Sequence, residues 1–103
     1  MIAVDTNLLV RLLTKDDVSQ AKRAAKIMES DDIFIPKTVM LEMEWVLRHA
    51  YGIGKEGILG GFQKMMGLPN VQVEDQQTVF LAISWYESGL GFADALHLVN
   101  YGR

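Results

Sequence analysis

Met1-Ile2-Ala3-Val4-Asp5-Thr6-Asn7-Leu8-Leu9-Val10 is the stretch on which the reading of the fold turns. Ile2-Ala3-Val4 is a short run of small and β-branched apolar residues, the composition of a buried strand. Asp5 ends the run, and Thr6-Asn7-Leu8-Leu9-Val10 opens a helical pattern. A carboxylate at such a junction is rigidly held and lies close to the positive end of a helix dipole. Two roles suit it there. It can hold a metal ion, or it can cap the helix, since Asp is among the preferred N-cap residues. The local residues leave both open.

Working outward, the chain alternates short apolar runs with longer helical patterns. The first helix is predicted over Thr6–Leu13. Asp16-Asp17 then open a second, in which Asp17 and Gln20 have capping-box spacing and Ala21, Ala24, Ala25 and Met28 form the apolar side to about Ser30. Ile33-Phe34-Ile35 reads as a strand stopped by Pro36. A third helix is predicted from Thr38 to about Tyr51, with Gly52 just past its end. A fourth runs over Lys55–Met66, weakened by Gly57, Gly60 and Gly61. Val71–Val73 reads as a third strand. Asp75–Ser88 follows as a helix closed by Gly89, its inner stripe Val79, Ala82, Ile83 and Tyr86, and the last helix begins at Ala93 and runs to about Tyr101. Strands alternating with helices imply an α/β architecture with a mostly parallel sheet. Ligands of such sheets bind beyond the carboxyl ends of the strands, which is where Asp5 falls.

The bulk numbers bound the function. A chain of 103 residues is one domain with enough length to bury a core. There is no cysteine, which excludes a disulfide framework and any thiolate metal site. No apolar run approaches the ~18 residues of a membrane span, and the first residues lack a signal-peptide pattern, so a cytoplasmic protein is the expectation. Net charge is −3, from ten Lys/Arg against thirteen Asp/Glu, which argues against a broad basic field for coating nucleic acid. Any nucleic acid has to be held locally, by a few cations or through a metal ion.

Three acids stand in apolar company: Asp5, Glu42 within Val39-Met40-Leu41-Glu42-Met43-Glu44-Trp45-Val46-Leu47, and Asp94 within Phe92-Ala93-Asp94-Ala95-Leu96. On the third helix Glu44 has Arg48 at i+4, the favourable orientation of an exposed ion pair, and reads as a solvated surface charge. Glu42 has Thr38, Val39, Trp45 and Val46 as its i±3 and i±4 neighbours, none of them cationic, so it reads as an acid directed elsewhere. Carboxylates converging from separate elements suit Mg²⁺ or Mn²⁺, which prefer oxygen ligands. The plainer roles are an N-cap for Asp5, a dipole-favoured first-turn acid for Asp94 and a distant cation partner for Glu42.

Other residues carry less. His49 and His97 have no metal-pair spacing. Lys22, Arg23 and Lys26 form a cationic patch that reads as a solvated face, and nothing in the spacing of Arg11 requires it to meet a phosphate. Trp45 and Trp85 read as core or interface residues, and the pairs Met40/Met43 and Met65/Met66 as core.

Val4-Asp5-Thr6-Asn7, then Val-x-x-Glu-x-x-Trp-Val-Leu ending in Tyr51-Gly52, then Phe92-Ala93-Asp94-Ala95-Leu96, together resemble a PIN domain over the whole chain. The closest group is the VapC-type toxins of bacterial toxin–antitoxin systems. The resemblance implies a Rossmann-like three-layer α/β/α fold with a central parallel sheet, and a Mg²⁺- or Mn²⁺-dependent endoribonuclease. It makes Asp5, Glu42 and Asp94 the metal-binding, catalytic acids, with Thr6 and Asn7 as hydrogen-bonding support behind them. It implies an RNA substrate, a VapB-like antitoxin as partner, and a homodimer. A catalytically silent PIN-like module that only binds a protein partner is the alternative.

Two departures stand out. Gly89-Leu90-Gly91 occupies the place where relatives often carry an extra Asp, and the chain stops at Gly102-Arg103, where such domains add a strand and a fourth acid. The expectation is therefore a single PIN domain over residues 1–103 that lacks its C-terminal strand region. The strand of Asp5 would then have an open edge, covered by oligomerisation or by exchange of an element between protomers.

Overall fold

Strands of two or three residues make few ladder hydrogen bonds, so the helices have to supply most of the burial. The computed structural model describes residues 1–101; Gly102 and Arg103, on which the reading of the chain end rests, lie outside them. Among the described residues the order is β1 (Ile2–Ala3), α1 (Thr6–Thr14), α2 (Val18–Ser30), β2 (Ile33–Ile35), α3 (Lys37–His49), α4 (Lys55–Met66), β3 (Val71–Val73), α5 (Gln76–Glu87) and α6 (Phe92–Tyr101). The architecture is α/β, as the alternation predicts. The three strands form a parallel sheet in the order β1-β2-β3, with Ile2 opposite Ile33 and Ile33 opposite Val71.

Local chemistry explains the boundaries. Asp17 accepts from the Gln20 amide at 3.1 Å and starts α2. Where α2 gives way to β2, the Asn70 side chain donates to the carbonyls of Met28 at 2.6 Å and Asp31 at 2.9 Å, satisfying groups a helix end would otherwise leave open. Pro36 precedes α3 with extended ψ, and the helix begins one residue earlier than the sequence predicts, at Lys37. It ends at His49. Gly52 then turns the chain with φ +63, so that the Ile53 amide reaches back to the Leu47 carbonyl at 3.0 Å.

The core joins both halves of the chain. Leu9 of α1, Ile33 and Ile35 of β2, Met40, Met43 and Leu47 of α3, Ile58, Phe62 and Met65 of α4, Val79 of α5 and Phe92 of α6 are all buried. Phe92 packs on Phe62 with centroids 5.3 Å apart and meets the Tyr86 ring edge-on at 5.5 Å. Trp45 and Trp85 do not join this core: they are 57% and 45% exposed. Their helical spacing places them opposite the buried stripes of α3 and α5, which periodicity by itself does not separate from the inside.

β1 pairs with β2 on one side. The Ile2 and Val4 amides donate across to Asp32 and Phe34 at 2.8 and 3.1 Å, which leaves Ala3, between them, facing the other way. Among the described residues no second strand lies along that edge. None of their helices is long and apolar enough to cross a membrane.

Candidate active site

β1 delivers Asp5 to the N-terminus of α1. Its backbone is extended (φ −95, ψ 170) and its Oδ1 accepts from the Leu8 amide at 2.9 Å, so the capping role is realised. That bond engages one carboxylate oxygen, and the side chain stands in solvent with no cationic partner among the described residues. Capping therefore does not exhaust Asp5.

The next residue makes the link to α3. Thr6 is 9% exposed, and its hydroxyl donates to Glu42 Oε2 at 2.9 Å, across a separation of 36 residues. This bond brings the start of α1 against the exposed side of α3 and fixes the orientation of the Glu42 carboxylate. Asn7 is exposed beside them and makes no side-chain hydrogen bond among those the structure gives.

Asp94 sits in the first turn of α6, where the helix dipole favours a negative charge. It borders a cleft of about 610 Å³ between α3 and α6, lined also by Lys37, Thr38, Leu41, Ala93, Leu96 and His97. Thr38 is one turn from Glu42 on the same face of α3. Asp5 borders a different cleft, of about 290 Å³, between α1 and α2.

The structure thus ties Thr6, the neighbour of Asp5 in the chain, to Glu42, and places Asp94 on the separate cleft between α3 and α6. Among the described residues no three His, Asp or Glu side chains gather closely enough to hold one metal ion. The donor chemistry still suits a hard divalent cation. Asp5 and Glu42 are carboxylates with no ion pair among the described residues, and Mg²⁺ usually takes only one or two protein carboxylates and keeps several waters.

Glu44 corrects the sequence reading. The predicted bond to Arg48 forms, with Nε donating to Glu44 Oε2 at 2.7 Å, but Glu44 is 3% exposed rather than solvated. The Tyr86 hydroxyl donates to the same Oε2 at 3.1 Å, and Lys55 lies over the Tyr86 ring, 5.1 Å from its centroid. The hydrogen bond and charge of Glu44 hold the Arg48 guanidinium above its ordinary value. A signal for this was present: Met40, Met43 and Leu47, all buried, flank Glu44 at i−4, i−1 and i+3, which puts it on the inner stripe. The i+4 arginine was a weaker guide than that stripe.

Burial, and secondly the charge of Glu44, push the Tyr86 hydroxyl up to about 12. A group whose folded pKa is raised binds its proton more tightly in the folded state. Its contribution to stability is complete below the unfolded value near ~10 and is lost as pH rises toward 12. Stability should therefore fall over that alkaline window. Urea midpoints measured for the wild type and Tyr86→Phe should converge as pH climbs through it; a constant difference would exclude Tyr86 as the source.

A search of curated proteins and a search of solved structures each return no match to this chain. The family model described as PIN domain matches residues 2–99, from β1 through most of α6. That span includes Asp5, Glu42 and Asp94, and PIN domains are commonly nucleases that use divalent metals. The chain belongs to the PIN domain family.

Proposed function

We infer that this PIN domain is an endoribonuclease of the VapC type, dependent on Mg²⁺ or Mn²⁺, hydrolysing RNA phosphodiester bonds and neutralised by a VapB-like antitoxin. The observation that carries the reading is the Thr6–Glu42 hydrogen bond beside Asp5. It holds the Glu42 carboxylate against the start of α1, next to the carboxyl end of β1, where an α/β sheet places its ligands.

Asp5 and Glu42 are the residues that would hold the cation. A bound divalent ion supplies an activated water and offsets charge on the phosphodiester. The chain does the positioning. The Leu8 amide pins one oxygen of Asp5, and the Thr6 hydroxyl pins one oxygen of Glu42, so each carboxylate presents its other oxygen in a set direction. Asp94, borne on α6 across the cleft, adds negative charge on the far wall.

The lack of a three-acid group among the described residues favours a second reading, a catalytically silent PIN module that binds a protein partner. On the ribonuclease reading the domain acts as a homodimer.

Incubation of the purified chain with total RNA separates the two readings. Cleavage that appears with Mg²⁺ or Mn²⁺, stops in EDTA and is lost in Asp94→Asn is expected, with a mass by light scattering above the 11.6 kDa of one chain. RNA left intact at every metal concentration would favour the silent module, and a monomer would remove the homodimer.

A further inference from the structure

The cleft beside Asp5 brings together Arg23, which reads in sequence as part of a solvated face, and Arg11, whose spacing requires no phosphate contact. Arg11 comes from the last turn of α1 and Arg23 from α2, and both line the same cleft of about 290 Å³ as Asp5. Leu8, Ala24 and Ile27 complete it as apolar floor and wall. Gln20, Arg23, Ala24 and Ile27 fall at i, i+3, i+4 and i+7, so one face of α2 forms the whole wall.

Neither arginine forms an ion pair among the described residues. Arg11 makes no ion pair among those the structure gives, and the contact of Arg23 is a long one, its Nη2 reaching the Ser19 hydroxyl at 3.4 Å. Asp5 shares the cleft yet forms no ion pair with either. Each guanidinium carries five donors in a planar fork that fits a phosphate, and nearly all remain available. Lys22 and Lys26 are exposed on the same helix, so cations concentrate here on a chain whose net charge is −3.

We propose that the α1–α2 cleft is a phosphate subsite in which Arg11 and Arg23 grip a phosphodiester of single-stranded RNA and hold the strand beside Asp5. The assignment rests on the ribonuclease reading for its substrate and extends it by giving the strand a path. The path runs from the arginine cleft, over the start of α1 where Asp5 and Glu42 stand, into the larger cleft bordered by Asp94. Leu8 and Ile27 face the sugar and base of the held nucleotide, and they carry no hydrogen-bonding group that would select a sequence.

The test uses a fluorescently labelled ten-nucleotide RNA in EDTA, so that no cleavage intervenes, with affinity measured at graded KCl. Each phosphate contact on a single strand contributes ~0.7 to the slope of log affinity against log salt. Arg11→Ala with Arg23→Ala should weaken binding and lower the slope by about 1.4. The paired lysine variant should keep most of the slope but bind less tightly, having charge without the fork. Asp5→Asn should tighten binding, because it removes the one carboxylate of the cleft.

An unchanged slope in the double alanine variant would overturn the assignment, as would a wild type that does not bind in EDTA. So would equal affinity for an acidic peptide of the same charge, which would make the cleft a protein dock. RNA bound through the arginines but left uncut with Mg²⁺ would sustain the subsite and sink the ribonuclease reading.

Discussion

Asp5→Asn should leave the fold as stable as the wild type and abolish metal-dependent cleavage of RNA. The substitution separates two roles that coexist in one side chain. As a cap, Asp5 needs only an oxygen that accepts from the Leu8 amide at 2.9 Å, and Asn supplies one about equally well. As a cation ligand it needs charge, which the amide lacks. Asp5→Ala removes both roles and should cost about 0.5–2 kcal/mol of stability in addition. Urea melts read the first quantity and Mg²⁺-dependent RNA cleavage the second. If Asp5→Asn cuts RNA at the wild-type rate, Asp5 is a cap and nothing more.

The largest loss of stability is expected at Phe92. Its ring is 1% exposed and packs on Phe62 and Tyr86, joining α4, α5 and α6. Phe92→Ala removes this joint and leaves a cavity among groups that are themselves tightly held, at a cost of about 3–5 kcal/mol. A domain of this size has only about 5–15 kcal/mol to lose, so the variant should sit near the edge of folding. Denaturant midpoints at constant m-value measure it. A loss below about 1 kcal/mol would mean that α6 is not anchored through this ring. Asp94 lies two residues further along α6, so anchoring α6 also sets the far wall of the cleft.

Helices were easier to read from the chain than sites were. Asp17 with Gln20, the apolar spacing of α5 and the glycines after α3 and α5 are local signals, and each acts within a few residues of where it is written. Glu44 shows where locality ends. Arg48 at i+4 looks the same in sequence whether the pair lies in water or under a roof, and the partner that completes the site, Tyr86, is 42 residues away. The bond between Thr6 and Glu42 has the same character: the resemblance could nominate both residues, but only the packing of α1 on α3 makes them touch. Arg11 and Arg23 belong to neighbouring helices, and their shared cleft depends on how those helices cross, which neither sequence segment encodes. Strand order is likewise absent from strand composition, since Ile-Ala, Ile-Phe-Ile and Val-Gln-Val carry no label for their neighbours.

That order has a consequence for how the molecule is made. Among the described residues β2 pairs with β1, and β3 pairs with β2, so each of these strands joins the one completed before it. Domains emerge from the ribosome N-terminus first, at about 5–20 residues per second. The sheet can therefore be laid down in the direction of translation. Each new strand finds its template already finished, and α2 and then α3 and α4 have time to settle before the next strand arrives.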